Sequence, residues 1–178
     1  MQTKKFSETI KNLNMKQNTI KGTFYELYVG DRYRKHYEEK YSNINIEYRG
    51  ILLGKKDEGI DIIITYEKNN KNHYTFVQCK NLDIEKKNSI TYQQIKTFLY
   101  DCIKYAKIHN IPFSQIRATY IVPDKDLYKR NAIKSALVNN ENFKIKCSLA
   151  YLEIPTNGIK VLDEFNTNNS KQTQIAYS

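Results

Sequence analysis

The chain has 178 residues and a net charge of +10, which suits one compact domain that binds nucleic acid or another anionic surface. It has neither a long apolar run nor an apolar segment near residue 1, so we expect no membrane span and no secretory signal. Its 3 cysteines and 3 histidines are scattered without a CxxC or HxxxH pair, which argues against a zinc site and favours a cytoplasmic location.

Residues 1–17 are predicted to form a short amphipathic helix, because Phe6, Ile10 and Leu13 recur at helical spacing. The same segment carries four lysines. Such a helix is expected to dock on the body of the protein or on a partner. Two other interpretations stay open: a basic arm that binds phosphate, and a frayed lysine-rich start.

A longer helix is predicted from about Asn18 to Tyr41. Glu26 falls beside its apolar stripe, from where its carboxylate can reach the sheet. A lone glutamate in such a place is more often a surface residue. The stripe is expected to contain Ile20, Phe24, Leu27 and Tyr28, extended by Tyr33, Tyr37 and Tyr41.

A β-hairpin is predicted after a short strand from Ile44 to Tyr48. Its strands, Ile60 to Tyr66 and Tyr74 to Val77, are rich in β-branched and aromatic residues, and the segment between them is polar. If the turn centres on Asn69 and Asn70, the numbers of paired residues sum to about 139.

This register assigns side chains to the two faces of the hairpin. One face is apolar, with Ile60, Ile62 and Ile64 opposite Cys79, Val77 and Thr75. On the other face Asp61 lies opposite Gln78, and Lys80 follows on the same side. Three polar groups therefore meet at one end of an otherwise apolar hairpin.

Burying a carboxylate and an ammonium together is costly unless they pair or bind something. The first interpretation is a satisfied Asp61–Lys80 pair at a sheet edge. The second is a metal site, because the Asp61 carboxylate, the Gln78 amide oxygen and the main-chain carbonyl of Cys79 are hard oxygen ligands that suit Mg²⁺. In that case Lys80 orients the attacking water and balances phosphate charge.

These residues resemble the PD-(D/E)XK nuclease superfamily. Gly-Ile-Asp at 59–61, a hairpin and Val-Gln-Cys-Lys at 77–80 are similar to the branch with glutamine in place of the acidic residue, typified by Mrr-like restriction endonucleases and nuclease domains of restriction helicases. Gly-Thr-Phe-Tyr-Glu at 22–26 fits that branch's pattern in the helix before the sheet. The resemblance runs from Lys21 to Val122. It departs in lacking proline before Asp61, and Gln78 is a weaker ligand than glutamate, which leaves the number of metals open.

The rest of the chain is predicted to continue as alternating helices and strands. A helix from Thr91 to Asn110, capped by Ser89 or Thr91, carries Gln93 and Gln94 on its first turn, where the resemblance implies substrate contact and ordinary surface amides are the alternative. The later elements are a strand from Arg117 to Val122, a helix from Asp124 to Asn139, an edge strand from Phe143 to Leu149 and a short piece between Glu153 and Phe165.

This order predicts an α/β sandwich with a mixed central sheet and helices on both faces. It agrees with the restriction-endonuclease-like three-layer sandwich that the resemblance implies. We expect a nuclease domain over residues 18–165, the N-terminal arm or helix over 1–17, and a polar tail or linker over 166–178.

The resemblance implies Mg²⁺-dependent hydrolysis of DNA phosphodiester bonds in restriction of foreign DNA, with Mn²⁺ as a substitute metal. Asp61, Gln78 and Cys79 would hold the metal, Glu26 would bind it directly or through water, and Lys80 would orient the nucleophile. Glu58 is a further candidate that ranks below Asp61, because its neighbours indicate a loop.

Three rival functions remain at this point: a structure-selective resolvase, a non-catalytic nucleic-acid-binding module on the same fold, and a protein that binds or cleaves RNA. A homodimer is one expected assembly, since cutting both strands of a duplex needs two active sites. A helicase or a methyltransferase is a further expected partner.

Overall fold

The computed structural model describes residues 2–49, 59–82, 89–129, 145–153 and 160–164, and for 2–19 and 160–164 it describes the backbone alone. Within these ranges, two helices accompany a six-stranded sheet. In chain order the elements are α1 (Gln2–Glu38), β1 (Ser42–Tyr48), β2 (Ile62–Lys68), β3 (Lys71–Cys79), α2 (Tyr92–Ile108), β4 (Ile116–Val122), β5 (Lys146–Tyr151) and β6 (Lys160–Glu164).

The six strands lie side by side in chain order, from β1 to β6. The pairs β1–β2, β2–β3 and β5–β6 are antiparallel, whereas β3–β4 and β4–β5 are parallel. Parallel neighbours need a long crossover, and α2 provides the one between β3 and β4. The predicted mixed sheet of an α/β sandwich is therefore confirmed.

The hairpin of β2 and β3 has the predicted register. Ile62 pairs with Val77 and Thr65 with Tyr74, so the paired numbers sum to 139. The turn is built by Asn69 and Asn70, whose φ angles are 53° and 56°. Two consecutive residues with positive φ are typical of the tight turn whose twist matches that of a hairpin.

The sheet separates two apolar cores. The core on the α1 side includes Tyr25 and Val29 of the helix and Ile62, Val77 and Cys79 of the hairpin. The core on the α2 side includes Ile63, Phe76 and Tyr120 of the sheet, packed against the buried α2 residues Ile95, Phe98, Leu99, Cys102 and Ala106. Alternation along the strands sends neighbouring side chains into different cores.

The N-terminal region differs from the prediction in two ways. The short helix over 1–17 and the longer helix from Asn18 form one continuous helix, α1. The predicted apolar stripe is also wrong for Ile20, Phe24 and Leu27, which are exposed, whereas its fourth residue, Tyr28, is partly buried against the α1-side core. The helix instead packs against the sheet through a different row of side chains, which comprises Tyr25, Val29, Tyr33 and Tyr37.

Tyrosines hold α1 against the sheet at several points. The Tyr37 hydroxyl hydrogen-bonds Thr75 Oγ1 of β3 at 2.8 Å, and the Tyr25 hydroxyl donates to the Leu152 carbonyl at 3.3 Å. Gly30 allows the Tyr48 ring of β1 to lie directly against the helix, since a Cβ there would overlap the ring. The predicted contact through Tyr33, Tyr37 and Tyr41 is confirmed by their packing in this core.

Three further predictions are wrong in detail. Ile60 packs in the α2-side core and not with Ile62, because the regular strand begins only at Ile62 and the alternation does not extend back to residue 60. The strand β5 is not an edge strand, since β6 pairs with it. The chain from Asp124 does not begin an α-helix: Lys125–Leu127 form one 3₁₀ turn and Tyr128 is extended.

Other predictions concern residues outside the described ranges. These are the remainder of the helix over 130–139, the tail over 166–178 and the candidate carboxylate Glu58. Among the described residues, no helix is both long enough and apolar enough to cross a membrane.

Candidate active site

Asp61 and Gln78 form the centre of the candidate site. Both side chains are buried, with 3% and 4% exposure. Gln78 Nε2 donates to Asp61 Oδ2 at 2.5 Å, and the main-chain amide of Cys79 donates to the same oxygen at 2.6 Å. Gln78 Nε2 also lies 3.5 Å from the Cys79 carbonyl oxygen. One carboxylate, one amide and one main-chain carbonyl therefore meet at the end of β3.

The main chain fixes Asp61 between two strands just before β2 begins. Its amide donates to the Val77 carbonyl and its carbonyl accepts from the Arg49 amide, both at 2.9 Å. Gly59, two residues earlier, has a φ of +78°, a conformation that residues with a side chain rarely adopt. A Cβ at this position would also overlap the carboxylate of Asp101 on α2. Both the backbone conformation and the close approach of Asp101 therefore favour glycine at position 59, the first residue of the Gly-Ile-Asp pattern.

Lys80 lies one residue beyond β3, and its side chain is exposed. Its main-chain amide donates to the Ile121 carbonyl of β4 at 2.9 Å, which continues the sheet past the strand end. Lys80 and Gln78 together line a cavity of about 330 Å³ on the α2 side of the sheet. The other lining residues are Gly59, Gln93, Gln94, Thr97, Phe98, Asp101 and Tyr120.

Glu26 approaches from α1 and is half-buried. Its neighbour Tyr25 is anchored to Leu152, and the Lys21 carbonyl, just over one turn earlier, accepts a hydrogen bond of 3.0 Å from Asn81 Nδ2. Asn81 directly follows Lys80, so this contact ties the end of the hairpin to the turn of α1 before Glu26.

The pKa of the Cys79 thiol is affected by three nearby charged residues. Burial raises its pKa well above the ordinary value, the charges of Asp61 and Glu26 raise it further, and the charge of Lys80 lowers it. All three charged residues are therefore within electrostatic reach of one buried sulfur atom. A raised pKa favours the neutral thiol over the thiolate.

Tyr120 closes the floor of the cavity. Its ring lies edge-on to that of Phe98, with 5.7 Å between the centroids. Burial raises the pKa of its hydroxyl, and the nearby charge of Asp61 adds to the effect. Tyr120 is therefore a neutral hydroxyl close to the buried carboxylate.

Comparison with known proteins gives the family. Residues 31–154 match a family model described as a restriction endonuclease, which is more than half of the chain. The chain belongs to this restriction endonuclease family. No curated protein matches the sequence.

A solved structure, the MspJI restriction endonuclease in complex with a 27-mer oligonucleotide, is similar at 14% sequence identity and a TM-score of 0.46. The match covers 81% of this chain and 28% of that one, so this chain spans well under a third of that protein.

The site contains polar residues that the sequence analysis did not select. Thr97 and Asp101 line the cavity beside Gln93, and the three recur at intervals of four along α2. Side chains four apart lie on one face of a helix. In the sequence, this polar stripe next to the apolar one is the pattern that could indicate the cavity. It cannot be distinguished there from an ordinary solvent-exposed helix face.

The oxygen donors of the candidate site can be tested against a divalent metal ion. The described residues contain no group of three or more histidine, cysteine, aspartate or glutamate side chains that could form a metal cage. They do bring together oxygens of Asp61, Gln78 and Cys79, once the Gln78 amide turns by half a rotation to present Oε1. A site with one or two carboxylates and additional neutral oxygen ligands suits Mg²⁺. This ion usually keeps several bound waters and is also coordinated by substrate phosphates. The donors therefore fit.

Proposed function

We propose that this chain is a Mg²⁺-dependent DNA endonuclease that hydrolyses phosphodiester bonds in restriction of foreign DNA in the cytoplasm. The observation that carries the proposal is the buried Asp61–Gln78 pair, with Lys80 on the rim of the adjoining cavity. In a restriction endonuclease fold, a hydrophilic pair at a strand end beside an open cavity is better suited to binding a ligand than to supporting the core.

The residues take separate roles in this proposal. Asp61 and Gln78, with the main-chain carbonyl of Cys79, would hold the metal ion, and Glu26 would join them directly or through water. Bound Mg²⁺ would supply neutralisation of negative charge on the phosphate under attack. Lys80 would orient the nucleophilic water next to the phosphorus and balance negative charge on the phosphate.

The cavity gives the substrate an approach from the α2 side. Gln93, Gln94 and Thr97 offer hydrogen-bonding groups on the helix that faces Lys80. Such groups can hold phosphate or sugar oxygens in register, which positions a strand but carries no base information. The net charge of +10 adds a general attraction for the DNA backbone.

The test uses cleavage of plasmid and linear duplex DNA in Mg²⁺ by the full chain and by Asp61→Asn and Lys80→Ala. We expect each variant to lose activity by about a hundredfold or more, because each removes one group that acts on the reacting phosphate. Binding of DNA in Ca²⁺, which occupies such sites without supporting cleavage, should persist for Lys80→Ala. Lys71→Ala, at the turn end of the same hairpin, is the matched control and should remain active.

Activity in Asp61→Asn equal to that of the parent would refute the proposed site. Four-way junctions and RNA belong in the same assay. Preferential cleavage of a junction would indicate a resolvase, and cleavage of RNA alone would indicate a ribonuclease. DNA binding without cleavage under any divalent metal would indicate a non-catalytic module. A helicase or methyltransferase partner is tested by co-purification with the products of neighbouring genes.

A further inference from the structure

The outer face of α1 carries large apolar side chains that do not pack on the body of the protein. Ile20, Phe24 and Leu27 are 67%, 60% and 41% exposed. They lie on the side of the helix away from Tyr25 and Val29, which are fully buried against the sheet. Three large apolar residues in one exposed row indicate an interaction surface.

The sequence continues this row along the helix towards residue 2. Reading backwards from Leu27, the spacing alternates strictly between three and four residues, and the helical backbone is unbroken from Gln2 to Glu38. Six of the seven positions are apolar. We call this row the α1 seam; it comprises Phe6, Ile10, Leu13, Gln17, Ile20, Phe24 and Leu27.

A strict three–four alternation over three heptads is the pattern of a coiled coil. A helix that packs on a globular core usually has a wider apolar face with a period of 3.6 residues. In α1 these are separate features, because the tyrosine row is buried against the sheet, whereas the seam residues with described side chains, Ile20, Phe24 and Leu27, are exposed. The seam therefore fits another helix.

We propose that the α1 seam pairs with the same seam of a second copy of this chain, in antiparallel orientation. Charges beside the seam support this choice. In a parallel in-register pair, the flanking Lys16 would face Lys21 of the second copy on both sides, so like charges would meet twice. An antiparallel pair with its two-fold axis between positions 18 and 19 places Lys16 beside Thr23 and Lys21 beside Asn14.

The alternative antiparallel registers are less favourable. A shift of one heptad in one direction brings Lys16 against Lys16 of the second copy, and a shift in the other direction brings Lys21 against Lys21. The charge pattern therefore selects one register, in which position 10 lies opposite 27 and position 13 opposite 24. Like charges directly opposite one another destabilise such contacts.

Gln17 is the single polar position in the seam, and this register places it next to the two-fold axis. A side-chain amide has both donors and an acceptor, so the two copies of Gln17 can hydrogen-bond one another. One polar residue in an apolar seam is a known means of fixing register and partner number at a cost in stability. The interface is isologous, which is the form that a closed dimer requires.

The first test is sedimentation of the full chain over a range of concentrations, compared with Ile20→Lys and Ile108→Lys. Ile108 is 61% exposed on α2, so the control places the same charge at an equally exposed isoleucine outside the seam. We expect a dimer for the parent and for Ile108→Lys, and a dissociation constant raised at least about tenfold for Ile20→Lys. Phe24→Ser against Tyr100→Ser gives a second matched pair, with 60% and 66% exposed rings.

A monomeric parent chain at all concentrations would overturn the proposal, as would equal dissociation constants for Ile20→Lys and Ile108→Lys. Orientation is tested with a short bismaleimide crosslinker. A chain carrying both Lys16→Cys and Thr23→Cys should crosslink into dimers, and neither single variant should do so as efficiently. The native cysteines are buried and will not compete. Equal crosslinking by a single variant would overturn the antiparallel register. None of these readouts depends on nuclease activity.

Discussion

At the scale of single residues, Asp61 and Gln78 are polar side chains that the fold keeps almost wholly out of solvent. An unsatisfied buried polar group costs about 1–3 kcal/mol, and here one hydrogen bond, donated by Gln78 Nε2 to Asp61 Oδ2, provides a partner for both side chains. The alternative of a structural Asp61–Lys80 pair is not supported, because these two described residues form no ion pair and Lys80 is exposed. The arrangement leaves Lys80 available to a ligand in the cavity.

Gln78→Glu tests whether position 78 binds metal. Without metal, the new carboxylate lies against Asp61 Oδ2 and the donated hydrogen bond is lost, so the melting temperature in EDTA should fall by about 5 °C. Adding Mg²⁺ should restore it, with a larger stabilisation than in the parent, because two carboxylates bind the ion more tightly. Thermal melting with and without metal measures both effects, and cleavage in Mg²⁺ should persist.

Glu67→Gln provides a comparison at the far end of the same hairpin, where Glu67 pairs across β2 and β3 with Asn72. Its melting temperature should respond to Mg²⁺ as the parent does. If Gln78→Glu gains no extra stabilisation from Mg²⁺, position 78 is not a metal ligand and the hydrogen bond to Asp61 is its whole role.

At the scale of secondary-structure elements, the hairpin was predictable because its information is local. The asparagine turn and the alternation of the strands fix the register, and continuing it one pair beyond Ile62–Val77 predicts Asp61 opposite Gln78, whose side chains are hydrogen-bonded. The alternation does not hold for Ile60, where the positive φ of Gly59 interrupts the strand geometry. The cavity is not predictable from local sequence, because it depends on how α2 crosses the sheet.

Helix α1 shows a second reason for failure. Its sequence has two apolar rows, and periodicity alone does not say which row packs on the sheet. The tyrosine row packs there, and the hydroxyls of Tyr37 and Tyr25 form hydrogen bonds to Thr75 and to the Leu152 carbonyl, for which Ile20, Phe24 and Leu27 have no polar group. Three of the four predicted stripe residues, Ile20, Phe24 and Leu27, belong to the exposed row, whereas the fourth, Tyr28, packs against the α1-side core. The role of Glu26 stays a prediction.

Asn70→Ala tests the contribution of the turn. Asn70 has a φ of 56°, which costs a residue with a Cβ about 1–2 kcal/mol and is tolerated better by asparagine and glycine. We expect Asn70→Ala to be destabilised by about 1 kcal/mol and Asn70→Gly to match or exceed the parent. Urea unfolding measures the difference. Asn72→Ala, an exposed strand position next to the turn, is the control and should change stability less.

At the scale of the whole molecule, the cavity and the proposed dimer seam lie on opposite sides of the sheet. The α2 side holds the cavity and Lys80, whereas the α1 side faces the helix whose outer row is the proposed dimer seam. Glu26 lies on α1 between Phe24 and Leu27 of that seam. Dimerisation through α1 would therefore bring the two candidate sites into a fixed relation about a two-fold axis. The two strands of a duplex have the same symmetry.

Cleavage of both DNA strands should consequently depend on the α1 seam. The parent should convert supercoiled plasmid to linear DNA with little open circle, because the two sites of a dimer reach opposite strands. Ile20→Lys, which keeps every residue of the proposed site, should accumulate nicked open circles at concentrations where it is monomeric. Ile108→Lys adds the same charge on α2 and should still yield linear product, which separates loss of the dimer from a change in DNA attraction. Gel electrophoresis over time distinguishes the two products. Direct linearisation by monomeric Ile20→Lys would show that one chain cuts both strands in turn, and the seam would then have no part in the double-strand reaction.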